Sequence, residues 1–450
     1  MSGQRIVAGV LLGAALVAGC RKTPAPAPTA AKPAAEARRG AAPLTSEECR
    51  ALCIADPAGA TSVDQELRSS QKRVSGFPMK SDDWVSLGRQ WVRKARLAAD
   101  PGFYVNANGC TAVALEVEPG FLPALELRGL VLMNDHKFEE ARQIAEDILA
   151  RDAENFLALG TLSDALLELG RYDEAAEAAQ RQMSVRPNMA TYSRGSYIRW
   201  LKGDSRKAKS FIKDALVSRD ARDPEPAAWT FVEAATIFWH QADYDGADAV
   251  YAEALRWVPD YPSALVGRGR IAIAKEQPRP AIEYLEKAYR IRPLPETAWL
   301  LGDAREMFGD AKGAGEAYDR VVRQGRRGDR LTLALFYATK NRDIDEALRL
   351  IEEERALRGG IYVDDTYAWA LYRAGRIAEA RKASERALRL GTKDARLLYH
   401  AGTIRRAAGD EVGGRKLVGQ ALALNPRFDW TGAAEARKLL DAAPKKMASK

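Results

Sequence analysis

Along most of the chain, apolar residues return every three or four positions, as at Leu162, Leu166 and Leu169, the spacing that lines one face of a helix. The pattern predicts helix after helix from Asp82 to Ala443. Two stretches depart from it. Residues 6–17 form one apolar run behind Arg5, and the small residues Ala18 and Gly19 follow before Cys20. The run is shorter than the ~18 to 20 residues a helix needs to span a bilayer core, so it reads as a cleavable export signal. Residues 21–44 hold Pro24, Pro26, Pro28, Pro33 and Pro43 among many alanines, with no large apolar residue before Leu44. Such a segment cannot bury enough surface to offset its ordering entropy. It is a spacer of polyproline character, extending by ~3.1 Å per residue.

The helical part repeats. An alanine recurs at Ala107, Ala141, Ala175, Ala208, Ala247, Ala281, Ala314, Ala347 and Ala380, with Gly414 in the tenth slot. Successive gaps are 34, 34, 33, 39, 34, 33, 33, 33 and 34 residues. Around each anchor further slots return: a small residue seven positions later (Ala114, Ala215, Ala254, Ala288, Ala387, Ala421) and a proline twelve later (Pro119, Pro187, Pro259, Pro293, Pro426). Five positions earlier stands a glycine, at Gly102, Gly170, Gly203, Gly309, Gly375 and Gly409. Small residues let helix backbones approach closely, the glycine supplies a left-handed turn ending one helix, and the proline stops the next.

This pattern resembles the tetratricopeptide repeat (TPR), in which two helices form a unit that cannot bury its apolar face alone and therefore stacks. The resemblance implies an all-α superhelical solenoid of about ten helix-turn-helix units over residues 88–428, preceded by a helical segment at 45–87. A capping helix would follow within 429–443 and a basic tail at 444–450. The 39-residue gap places a longer loop near 217–227, and the unit from Gly328 keeps little but the spacing and Ala347.

Val17-Ala18-Gly19-Cys20 resembles the bacterial lipobox, which implies cleavage before Cys20 and acylation of that residue. The rival is a plain signal peptide with a coincidental cysteine. Several acyl chains on one residue give stable anchoring. Residue 21 is Arg, not the Asp that resembles an inner-membrane retention signal. The expected location is thus the outer membrane, facing the periplasm.

The net charge of +8 changes the picture only by its placement. Residues 1–44 carry six basic side chains and Glu36, and Lys445, Lys446 and Lys450 supply the rest, which leaves residues 45–444 neutral with 60 charges of each sign. No basic face for nucleic acid is implied. In an oxidising compartment Cys110 would pair with Cys49 or with Cys53; the alternatives are buried thiols and, since a zinc site wants four ligands, least of all a metal.

Chemistry is sparse. His136, His240 and His400 fall in separate units, where incidental surface or boundary positions are expected. No nucleophile elbow, zinc-protease, P-loop or dinucleotide fingerprint occurs, so neither an enzyme nor a cofactor is expected. The TPR resemblance implies instead a concave face lined by the fifth, ninth and twelfth positions of each first helix. These slots hold Tyr197, Trp200, Trp239, Trp299, Phe336, Trp369, Tyr372 and Tyr399. Such rings serve either partner contact or packing between helices. The same slots hold Gly160 and Asp164, Val232 and Thr236, or Asp365 and Trp369, a departure from the Lys/Asn/Arg set that grips C-terminal carboxylates in some TPR proteins. The expectation is a scaffold that binds envelope proteins, with a pilotin-like chaperone or a glycan-binding accessory as the alternatives.

Overall fold

The computed structural model describes residues 44–98 and 100–442. Cys20, the residue 1–43 leader and spacer, and residues 443–450 with the basic tail lie outside the described residues.

Among the described residues every long element is a helix. Two lead in, α1 (Ser46–Cys53) and α2 (Ser62–Gly76). Ten antiparallel pairs follow, each a first helix A and a second helix B. They are α3 (Ser81–Leu97) with α4 (Tyr104–Val117), α5 (Leu122–Asn134) with α6 (Phe138–Arg151), and α7 (Phe156–Glu168) with α8 (Tyr172–Val185). Next come α9 (Met189–Leu201) with α10 (Ser205–Val217), α11 (Pro224–His240) with α12 (Tyr244–Trp257), and α13 (Pro262–Ala274) with α14 (Pro278–Ile291). The last four are α15 (Pro295–Phe308) with α16 (Ala311–Gly328), α17 (Arg330–Thr339) with α18 (Ile344–Leu357), α19 (Ile361–Arg373) with α20 (Ile377–Ala387), and α21 (Ala395–Ala407) with α22 (Glu411–Leu424). Helix α23 (Gly432–Asp441) closes the array.

The anchor alanines explain why the period is visible. Ala107, Ala141, Ala175, Ala208, Ala247, Ala281, Ala347 and Ala380 are fully buried in the B helices, where a larger side chain would push the paired helix away. Four residues before the anchor, Asp204, Asp243, Asp310 and Asp410 accept the backbone N–H of Lys207, Gly246, Gly313 and Gly413, capping each B helix. The left-handed slot before that cap is occupied as expected by Gly170, Gly203, Gly309, Gly375 and Gly409. Three units without a glycine there adopt the same conformation anyway: His136, Ala242 and Glu276 have φ of 58°, 59° and 58°. In the eighth unit the slot holds Arg342, and the positive φ falls on its neighbours Asn341 and Asp343, at 51° and 49°. Gly102 also departs; it lies inside a short 3₁₀ turn, Pro101–Phe103, and not at positive φ.

Two boundaries differ from expectation. Gly88 lies in the middle of α3, which begins at Ser81, and the extra residues of the 39-residue gap are shared between a loop at 218–223 and a lengthened α11. In the weakly matching unit, α16 runs on to Gly328, and Asp329 ends it while capping α17 through the N–H of Thr332.

The N-terminal segment is stapled to the first unit. Cys53 and Cys110 form a disulfide, with Cα atoms 4.7 Å apart, that ties α1 to α4, while Cys49 is buried outside the bond. The close approach is possible because residue 109 is glycine: a Cβ there would lie 2.5 Å from the carbonyl oxygen of Cys49. The indole N–H of Trp91 donates to the Cys53 carbonyl at 2.8 Å, and the Asn106 amide donates to that of Leu52 at 2.8 Å.

The solenoid winds tightly enough for successive turns to touch. The loop after the eighth unit rests on the turn of the third: Gly359 N–H donates to the Glu168 carbonyl at 3.0 Å, Ile361 N–H to the Tyr172 hydroxyl at 2.9 Å, and Arg358 pairs with Glu168 at 2.8 Å. The loop after the ninth unit rests on the fourth, where the Thr392 hydroxyl donates to the Leu201 carbonyl. After the tenth, Asn425 accepts from the Tyr244 hydroxyl at 2.6 Å and donates to the Trp239 carbonyl at 2.8 Å, and Arg427 donates to the Ala274 carbonyl at 2.6 Å. Each loop thus meets a turn five units back, with Arg427 reaching on to the sixth unit, and backbone polar groups that would face water are satisfied across the seam.

Candidate functional site

Because the turns stack, the concave face is not one continuous groove. Its open part is a cavity of about 770 Å³ inside the first superhelical turn, lined by residues of α3, α4, α7, α9, α11 and α13. Tyr197 and Trp229 supply its exposed rings, at 38% and 47% exposure.

Most charges in the cavity are answered. Arg194 grips Asp164 through two hydrogen bonds of 2.7 Å each and reaches the Gln182 side chain at 2.5 Å. Glu168 faces Arg358, and Glu225 accepts the Tyr261 hydroxyl at 2.8 Å, with Arg96 and Arg292 near enough to that pair to act on the Tyr261 hydroxyl. Glu233 differs. It is half-buried, has no hydrogen-bond or ion-pair partner among the described residues, and burial alone pushes its carboxyl pKa up to about 7.

Of the eight aromatic residues expected on the concave face, Tyr197 alone lines this cavity. Trp200, Trp239, Phe336, Trp369 and Tyr399 are buried, and Trp299 and Tyr372 are half-buried. Trp200 packs at the seam, in a core with Tyr172, Ile361 and Leu397. Trp369 lies between His400, stacked at 4.0 Å, and Tyr372, stacked at 5.0 Å. Phe336 meets Trp299 edge-on at 5.4 Å, and the Tyr399 hydroxyl donates to Glu435 of α23 at 2.6 Å. Here the rings hold units together.

Of the histidines, only His400 departs from the expected surface or boundary position. His136 is exposed, but His400 is buried with Nδ1 3.0 Å from Asp365, and His240 lies against Trp200 at 4.7 Å and Asp394 at 4.0 Å. Burial lowers the pKa of His240 against the pull of Asp394. Of the slots that depart from a carboxylate grip, Asp164 and Asp365 are both committed to internal partners.

Sequence reading misses Trp229 and Glu233. Trp229 is the second position of its unit and Glu233 follows four residues later on the same face of α11, outside the fifth, ninth and twelfth slots. Their i, i+4 pairing was the available signal.

Tetratricopeptide-repeat family models match residues 132–193 and residues 232–295. No curated protein matches the sequence. Among solved structures, a human IFIT1 dimer with PPP-AAAA is 14% identical, with a TM-score of 0.46 over 85% of this chain and 95% of that one. PilW, a widely conserved type IV pilus biogenesis factor, is 18% identical, with a TM-score of 0.39 over 48% of this chain and 97% of its own. Yeast Tom70 is 15% identical, with a TM-score of 0.38 over 84% and 96%. The matched stretches lie inside the ten-pair array and share its helix-turn-helix unit: the chain is a tetratricopeptide-repeat solenoid.

Proposed function

We propose that the protein is a non-enzymatic, lipid-anchored scaffold of the bacterial cell envelope that holds a segment of another envelope protein in the cavity of its first superhelical turn. The carrying observation is that cavity, whose size falls in the range of ligand sites and whose walls keep exposed rings beside a carboxylate the fold leaves unanswered. Anchoring through Cys20 and an outer-membrane location rest on the apolar run at 6–17, the small residues before Cys20 and the proline-rich spacer. Among the described residues no helix is long and apolar enough to cross a membrane. The glycan alternative loses Trp200, Trp239 and Trp369 as stacking platforms, since all three are buried, and keeps only the Tyr197 and Trp229 rings of the cavity.

A photo-crosslinking residue at Ala190, exposed in the cavity wall, tests this in cells, with one at Val412, 82% exposed on α22, as the control. One abundant envelope protein captured from position 190 and not from 412, and lost when Cys20→Ala removes the anchor, is the expected result. Equal capture from both positions, or none from 190, contradicts it.

A further inference from the structure

Glu233 sits where a carboxylate is costly. It is half-buried on α11, one helical turn from Trp229, and its charge also acts on the hydroxyl of Tyr197 on α9. The Tyr197 hydroxyl has no hydrogen-bond partner among the described residues, and its ring is held in place by stacking on Trp200 at 6.1 Å. Of the basic side chains nearby, Arg194 is held by Asp164 and Gln182 and Arg358 by Glu168 and Glu354, while Arg96 and Arg292 lie at the Glu225–Tyr261 end of the cavity, where the Nε of Arg292 has no hydrogen-bond partner among the described residues. A buried acid without a partner is destabilising in the empty protein, and burial accordingly holds it partly protonated near neutral pH. Aromatic faces beside a carboxylate answer one kind of group, a cation carried on an apolar stem, which gains from the charge and from the rings together.

Resting on the scaffold reading above, we propose that Glu233, Trp229 and Tyr197 form a socket for a lysine or arginine side chain of the bound partner segment. The socket sets specificity: an extended segment enters the cavity with one basic residue directed at α11, while Arg194 and Asp164, locked to each other, form a fixed wall. At Glu233 itself an anionic side chain is not favoured, because the charge it would meet there is negative.

The test uses the full-length protein in detergent and two capped alanine peptides, one with a central lysine and one with norleucine in its place, read by titration calorimetry. The lysine peptide is expected to bind at least tenfold more tightly than the norleucine peptide. Glu233→Gln should abolish that difference without weakening the norleucine peptide, and Trp229→Leu should reduce binding of both. Equal affinities for the two peptides in the unaltered protein, or a preference that survives Glu233→Gln, overturns the socket. Tighter lysine-peptide binding when Lys445, Lys446 and Lys450 are changed to alanine would assign the socket to the chain's own tail and also overturn it. Capture from position 190 that persists in Glu233→Gln at full yield would sink the socket while leaving the scaffold standing; loss of all capture in the otherwise unaltered protein would sink the scaffold.

Discussion

Lys340→Met is expected to destabilise the seventh and eighth units by about 2–3 kcal/mol at pH 8, because it leaves a buried acid without its counter-charge. Asp303, 5% exposed on α15, takes the Lys340 ammonium at 2.9 Å and lies 2.8 Å from the Tyr318 hydroxyl, which also meets Glu306 at 2.7 Å. Lys340 follows α17, so this cluster docks the eighth unit onto the seventh where the repeat pattern in the sequence is thinnest. Burial raises the Asp303 pKa from 3.8 to about 6 even with Lys340 present. A raised acid contributes its stability below the unfolded pKa and loses it as pH rises through the folded one. The variant should therefore be nearly as stable as the parent near pH 4 and fall behind it from about pH 6 upward, as followed by urea unfolding at a series of pH values. A deficit of the same size at pH 4 and pH 8 would show that lost packing, and not the charge, is responsible.

The second large effect is expected at the seam. Gly203 and Gly409 occupy the same slot of their units, with φ of 74° and 90°. An alanine at either residue bears the cost of a left-handed backbone, about 1 kcal/mol. They differ in what a Cβ would meet. At Gly409 there is nothing within 4 Å, whereas at Gly203 it would lie 2.4 Å from the Gly391 carbonyl oxygen, a backbone atom of the opposing loop. Gly203→Ala must therefore displace that loop and with it the Thr392 to Leu201 hydrogen bond, for a total loss of about 3 kcal/mol. Gly409→Ala should lose only the first part. Equal thermal shifts in the two variants would argue that the turns do not touch.

What the sequence made legible follows from what each feature requires physically. A close helix contact demands a small residue, so the anchor alanines announce ten units, and a capped B helix recurs with its aspartate at a fixed offset. The left-handed slot was only half legible, because His136, Ala242 and Glu276 accept a strained backbone that glycine would adopt freely. Superhelical pitch left no local trace. Arg358 and Glu168 are 190 residues apart, and Thr392 and Leu201 191, with no shared motif to announce their meeting. The same blindness governs the candidate site. Slot positions single out aromatic residues of the A helices, but only the winding decides that Trp200 and Trp239 end beneath another turn while Tyr197 and Trp229 face open space. The Cys110 partner turned on a glycine: with Gly109 letting α1 settle closely on α4, Cys53 is the residue brought to Cys110.

The central claim is that the solenoid closes on itself with a five-unit offset, leaving a binding cavity in its first turn. Amide hydrogen exchange of the segment 357–363 tests it most directly, because the Gly359 and Ile361 amides donate to Glu168 and Tyr172 across the seam and to nothing within their own unit. Protection comparable to that of the flanking α19, falling at Ile361 in Tyr172→Phe, is the predicted result. Exchange of both amides at the rate of an open loop, unaffected by Tyr172→Phe, would contradict the closure.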